Sequence, residues 1–249
     1  MAGELIDGSG EVPLAEDSEQ YDLEILFGNA VVRVIGGLTS PSYLYTSADQ
    51  ATDFPGFVAQ GLSNPGFETG DLSGWTVESG GTWTVDNAHE SLSGGHTGSW
   101  FVRSSGDGVL AQTVDVSSIA RQIDLGGAMA RARCWHAETA TDPDQARIRL
   151  QFLDASNVEL GVVDPAFTDP TGTTFVQIEA LGAIPVGTRK IKVRLGIDQV
   201  SGATPNLAID DVTLEIDPGD LRYLTVAVYQ VSAQVGRGFT SEATVEIVP

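Results

Sequence analysis

The chain has 249 residues, 41% of them apolar, with 34 acidic side chains against 13 basic ones and a formal charge of -21. That charge repels polyanions, which argues against nucleic acid or an anionic membrane as the general partner, and no apolar run approaches the roughly 18 residues of a membrane span. The polar start Met1-Ala-Gly-Glu4 lacks the basic and apolar regions of a secretory signal, and a single cysteine, Cys134, excludes an intramolecular disulfide. The expectation is a soluble globular chain in which Cys134 is a small buried hydrophobe.

The 29 glycines and 11 prolines are spread along the sequence between apolar runs of five to eight residues. That pattern predicts many short strands joined by turns, and no long helix. Residues 19–26 and 30–35 alternate apolar with polar side chains, and Phe27-Gly28-Asn29 between them suits a hairpin loop. Tyr43, Leu44 and Tyr45 predict a third strand, after which the text loosens through residues 51–56. At the other end, residues 224–232 and 243–248 read as two strands flanking a turn at Gly236-Arg237-Gly238.

Between these parts, residues 62–217 differ in character and have the length of a jelly roll. The flanking segments, 1–61 and 218–249, together have about the length of one immunoglobulin-like sandwich. The predicted organisation is therefore one β-domain inserted into a loop of another, which is feasible when the guest's ends lie close together.

Strand alternation reveals a basic face on this acidic chain. In residues 128–136, Ala130, Ala132 and Cys134 share one side, leaving Arg131, Arg133 and Trp135 on the other. In 146–153, Ile148, Leu150 and Phe152 point in, and Arg147, Arg149 and Gln151 point out. In 189–197, Ile191, Val193 and Leu195 point in, and Lys190, Lys192 and Arg194 point out. With these strands side by side in one sheet, the outward cations form a continuous patch bordered by Trp135. Arginines that pair bidentately with carboxylate or phosphate, beside an aromatic face that stacks on a sugar ring, predict an acidic glycan as ligand. The alternative is a solvated face whose cations pair with Glu179, Asp154 or acids of the flanking domain. Trp83 and Trp100 are candidate sugar platforms, whereas Phe67 and Trp75 read as core.

Catalytic signatures are missing from the text. Of the histidines His89, His96 and His136, no two have the i, i+4 spacing of a zinc hydrolase. Ser99 and Ser104 lack a nucleophile elbow, and no phosphate-cradling loop occurs. Acid pairs such as Asp142 and Asp144 are expected by chance among 34 acids. A non-enzymatic binding protein is the expectation.

Two resemblances sharpen it. The run Asn64-Pro-Gly-Phe-Glu-Thr-Gly-Asp-Leu-Ser-Gly-Trp75, then His96-Thr-Gly-Ser-Trp100, Leu110-Ala-Gln-Thr-Val114 and Ile209-Asp-Asp-Val212, in that order, resembles galactose-binding-like jelly rolls of the carbohydrate-binding-module type. The resemblance implies a structural calcium held by Glu68, Asp210 and backbone carbonyls. Independently, alternation puts Asp210 on one face with Val212 and Leu214, so its carboxylate points inward and needs a cation or several donors.

The flanking segments Glu11-Val-Pro-Leu-Ala-Glu-Asp-Ser-Glu-Gln-Tyr-Asp-Leu-Glu-Ile-Leu26, Tyr43-Leu-Tyr-Thr-Ser-Ala-Asp-Gln50 and Leu224-Thr-Val-Ala-Val-Tyr-Gln-Val-Ser-Ala-Gln-Val-Gly-Arg-Gly-Phe239 resemble the C-terminal fibronectin type III-like domain of tail-tip, or baseplate hub, proteins of siphophages and gene transfer agents. The fold class is then all-β, a jelly-roll β-sandwich inserted into a partial fibronectin type III-like β-sandwich. The resemblance implies a virion component at the distal tail that binds a host-surface glycan, with other tail-tip proteins and further copies of itself, such as a trimer, as partners. Only five strands are evident in the flanking domain. Either the chain is a fragment, or a neighbouring subunit adds the missing strand. A purely architectural decoration, or a binding module of a secreted carbohydrate-active protein, is the alternative function.

Overall fold

The computed structural model describes residues 20–27, 30–40, 42–53, 56–140, 143–218, 223–232 and 236–246. In chain order the strands are β1 (Gln20–Phe27), β2 (Ala30–Leu38), β3 (Val58–Ala59), β4 (Thr76–Gly80), β5 (Trp83–Asp86), β6 (Ala88–His89), β7 (Leu92–Ser93), β8 (Phe101–Ser104) and β9 (Gly108–Asp115). They continue with β10 (Met129–Glu138), β11 (Gln145–Leu153), β12 (Glu159–Val163), β13 (Val176–Ala183), β14 (Lys190–Asp198), β15 (Leu207–Asp217), β16 (Tyr223–Ser232) and β17 (Gly236–Glu246). Two short helices, α1 (Ser47–Asp53) and α2 (Ala120–Leu125), and a 3-10 turn at Ser117–Ile119 complete the elements of the described residues, which are otherwise strands and loops.

It divides into two units, Met1–Asp53 with Leu221–Pro249, and Phe54–Asp220. In the first, β17, β16, β1 and β2 form one antiparallel sheet in that order. Leu23 and Ile25, two apart on β1, are buried on the same side, as alternation requires. Residues 11–19 of the flanking-domain resemblance and the loop residues Gly28 and Asn29 lie outside the described residues. Residues 236–238, expected as a turn, instead open strand β17 and pair with Ser232, Val231 and Gln230.

No strand forms at residues 43–45. Leu44 is 80% exposed, and the tyrosine hydroxyls donate to helix α1, Tyr43 to Asp49 at 3.3 Å and Tyr45 to Asp53 at 2.8 Å. The reason is a capping box. Thr46 Oγ1 accepts from the Asp49 N–H at 3.1 Å, while the Asp49 carboxylate accepts from the Thr46 N–H at 3.2 Å. Arg33 of β2 then holds Asp49 and Asp53, at 2.8 and 2.7 Å.

The second unit is a jelly-roll β-sandwich. One sheet has the order β13-β10-β15-β8-β5, with β3 beside β15, and the other β12-β11-β14-β9-β4. Residues 56–61, assigned by the sequence pattern to the flanking domain, pack here instead: Val58 and Ala59 pair with Ile216 and Glu215. The inward side chains of both sheets make one core, among them Phe67, Trp75, Ala132, Cys134, Ile148, Leu150, Ile191, Val193, Leu195 and Leu214. Burial pushes the Cys134 thiol well above its ordinary pKa, so it behaves as the apolar residue expected.

Candidate functional site

Successive jelly-roll strands cross between sheets, and this breaks the patch that alternation suggested. All seven predicted side chains point outward, but from opposite faces. Strand β10 with Arg131, Arg133 and Trp135 belongs to one sheet, whereas β11 and β14, with Arg147, Arg149, Lys192 and Arg194, are paired neighbours in the other. The single continuous face is thus two faces on opposite sides of the sandwich. Periodicity reports which way a side chain points relative to its own sheet, not which sheet it is in.

On the β10 face the cations are already matched. Arg131 and Arg133 share Glu215 of β15, at 2.8 and 2.5 Å, and Arg131 lies over the Phe57 ring at 4.0 Å. The Trp135 ring is stacked on His96, with centroids 3.9 Å apart and planes 11° from parallel. One of its faces is therefore occupied by the protein itself. Trp83 is not a surface platform at all: it is 6% exposed in the core between the sheets.

The β11–β14 face is different. In the antiparallel register Arg149 stands directly opposite Arg194, and Arg147 opposite Gly196. Like charges directly opposite each other repel, which costs roughly 0.2–1 kcal/mol unless anions intervene. Two do so. Glu78 of β4 reaches Lys192 at 2.7 Å and Arg194 at 2.6 Å. Asp164, which follows β12, takes Arg147 at 2.8 Å and approaches Arg149 only to 3.7 Å. Although burial opposes its ionisation, Lys192 and Arg194 hold the Glu78 carboxyl below the usual range. Arg149 is the least satisfied of the four cations, and its buried Nε has no hydrogen-bond acceptor.

These groups line a cleft of about 560 Å³ with Thr76, Val77, Ser79, Val109 and Gly196. Its charged lining is three guanidinium groups and one carboxylate, Glu78. The glycine has a local role. A β-carbon at position 196 would lie 3.3 Å from Arg147 Cγ and 3.4 Å from the Phe167 ring, so its absence lets Arg147 lie low across the sheet. Phe167 faces that guanidinium from above at 4.2 Å. Sequence reasoning missed Glu78, Asp164 and Phe167, because each reaches the face from an edge strand or a loop where alternation carries no information.

The predicted metal pair converges at one end of the sandwich, though for a different reason than expected. The β10–β15 register slips between Arg133 and Trp135, and Asp211 takes a positive φ of 46°. This bulge places Asp210 opposite the outward Trp135, not on the inward face of Val212 and Leu214. Asp210 is nonetheless fully buried, beneath the 95–100 loop. It accepts the His96 N–H at 2.7 Å and the Asp211 N–H at 2.7 Å. Glu68 accepts the Ser99 and Trp100 N–H groups at 3.0 and 2.9 Å. Burial first, and the adjacent Asp211 second, push the Asp210 carboxyl up to about 7.

Glycines make the cradle. A β-carbon at Gly98 would sit 2.4 Å from Glu68 Cδ, one at Gly95 2.5 Å from Asp210 Oδ2, and one at Gly66 3.8 Å from both carboxylate side chains. An oxygen-only donor pair in a glycine-walled cradle, with one carboxyl buried beside a second acid, fits a hard cation such as calcium. Among the described residues no three His, Cys, Asp or Glu side chains converge as a ready-made site. A cation here would draw its remaining ligands from backbone carbonyls.

No protein-family model matches the chain, and no curated protein does. Solved structures do. The enzymatically active domain of tailspike protein 4 of bacteriophage CBA120 matches at 18% identity and a TM-score of 0.45, over 61% of this chain. The chain spans 21% of that protein's length. A xylan-binding domain of carbohydrate-binding-module family 22 from Paenibacillus barcinonensis matches at 12% identity and a TM-score of 0.43, over 61% of this chain and 91% of that one. A family 16 carbohydrate-binding module matches at 17% identity and a TM-score of 0.41, over 61% and 97%.

Proposed function

We propose that the jelly-roll unit is a non-catalytic carbohydrate-binding module whose ligand is an acidic glycan, bound in the β4–β9–β14–β11 cleft. The observation that carries this reading is the cleft floor, where Arg149 and Arg194 are direct cross-strand neighbours and the one acid beside Arg149, Asp164, stays 3.7 Å away. Two guanidinium groups held side by side are stabilised by an anion between them, and a carboxylate meets them with charge-assisted hydrogen bonds. Thr76 and Ser79 on the cleft wall offer hydroxyls to the neutral parts of a sugar. Glu68 and Asp210 are proposed to hold a calcium ion that fixes the 95–100 loop and takes no part in binding.

The flanking unit is proposed to be the fibronectin type III-like attachment domain of a phage tail-tip protein, on the strength of its sequence resemblance. It would present the module to a host-surface glycan, with copies around a symmetric tip compensating for weak single sites. Calorimetric titration of the purified chain with acidic and neutral polysaccharides at two salt concentrations tests the reading. Binding confined to acidic polymers and weakened by salt supports it. Equal binding to neutral polymers, or none to any, ends it.

A further inference from the structure

The cleft is lined by one acid, Glu78, and a second, Asp164, pairs with the arginines beside it, and we infer that this restricts the ligand to glycans of sparse charge: one anionic group per binding length, flanked by neutral sugars. The inference rests on the acidic-glycan reading and narrows it. Arg147, Arg149, Lys192 and Arg194 stand together on this face, and among these four Glu78 and Asp164 already occupy two of the three places where an anion can bridge a neighbouring pair. Glu78 bridges Lys192 and Arg194 from the β4 side. Asp164 approaches Arg147 and Arg149 from the β12 side. The place left is the midline between Arg149 and Arg194, which are opposite each other in the register; the Arg149 Nε itself faces Asp164, at 3.7 Å.

A single carboxylate, sulfate or phosphate ester entering there completes an alternating row of anions and cations. A second charge on the next sugar, in either direction along that row, would meet a fixed carboxylate within a few ångströms. That repulsion is stronger at Glu78, the more buried of the two acids, than at the more exposed Asp164. Glu78 and Asp164 thus act as specificity-determining residues by repulsion as much as by pairing. The chain's overall charge of -21 acts in the same direction on a long polyanion.

The test compares affinities of the full chain for two probes, a neutral oligosaccharide bearing one glucuronate and an oligogalacturonate of equal length charged on every ring. It does so for the wild type, Glu78→Gln and Asp164→Asn. The wild type is expected to favour the singly charged probe. Each substitution, checked for folding by its thermal melt, is expected to raise affinity for the fully charged probe by about tenfold more than for the singly charged one, so that the ratio between the two probes falls. Two independent variants guard against one that folds poorly. Should the wild type bind the densely charged probe as well as or better than the sparse one, or neither variant shift the ratio, the inference is overturned while the acidic-glycan reading survives. Failure of both probes to bind any of the three proteins overturns both.

Discussion

Replacing Arg149 by alanine separates binding from stability on the proposed ligand face. Arg149 contributes little to the fold: its nearest acid, Asp164, is 3.7 Å away, which as a partly exposed ion pair is worth about 0–1 kcal/mol. Its removal also relieves the cross-strand repulsion from Arg194, of similar size and opposite sign. The net change in stability is expected to stay within about 0.5 kcal/mol. A hydrogen bond from a guanidinium to an anionic ligand is worth roughly 1.5–3 kcal/mol, so affinity for an acidic glycan is expected to drop about 10- to 100-fold. Arg133→Ala on the opposite face removes one of the two cations on Glu215 and is expected to leave affinity unchanged. Calorimetric titration at low salt, paired with urea denaturation, reads both quantities. The reasoning is refuted if Arg149→Ala binds like the wild type, or if Arg133→Ala loses as much affinity as Arg149→Ala.

Calcium at about 100 times its dissociation constant is expected to stabilise the jelly roll by about 2.7 kcal/mol, seen as a rise in melting temperature that chelator reverses and that Glu68→Gln abolishes; an unchanged melt in calcium would remove the metal. His136, fully buried and with neither ring nitrogen hydrogen-bonded, has its pKa lowered by burial to about 4. The unfolded chain takes up that proton near 6.5 and the folded one does not, so this residue's contribution is complete above pH 6.5 and declines by about 3 kcal/mol on acidification towards pH 4. Asp210, pushed upward, has the opposite pH dependence, so the quantity to follow is the difference in urea midpoint between wild type and His136→Leu; a difference independent of pH would contradict the assignment. Trp83→Phe is expected to cost roughly 1–3 kcal/mol of stability as a core change with glycan affinity intact, and lost affinity would return Trp83 to the site.

How far the sequence could be read depended on what kind of information each feature needs. Hydrophobic alternation located β10, β11 and β14 and told correctly that Arg131, Arg147 and Arg194 point outward, because the strand period of two is a local property. Sheet membership is not local, and so the text could not tell that β10 pairs with β13 and β15 while β11 pairs with β14. Asp210 illustrates a finer limit: one extra residue at Asp211 reverses the face of everything before it, and nothing in Ile209-Asp-Asp-Val212 announces the bulge. The missed helix α1, by contrast, was legible. Thr46-Ser-Ala-Asp49 is a capping-box pattern, overlooked because Tyr43-Leu-Tyr45 looked like a strand. Phe167 and Asp164 reach the cleft from the connection after β12, where only tertiary structure brings residues together.

Backbone amide chemical shifts recorded while a singly charged acidic oligosaccharide is titrated into the chain test the central claim most directly. Shifts confined to residues 76–79, 109, 147–149 and 194–196 are predicted, with residues 131–135 and 177–181 on the opposite sheet unmoved. Shifts centred on Arg131, Arg133 and Trp135, with the cleft silent, would contradict the account.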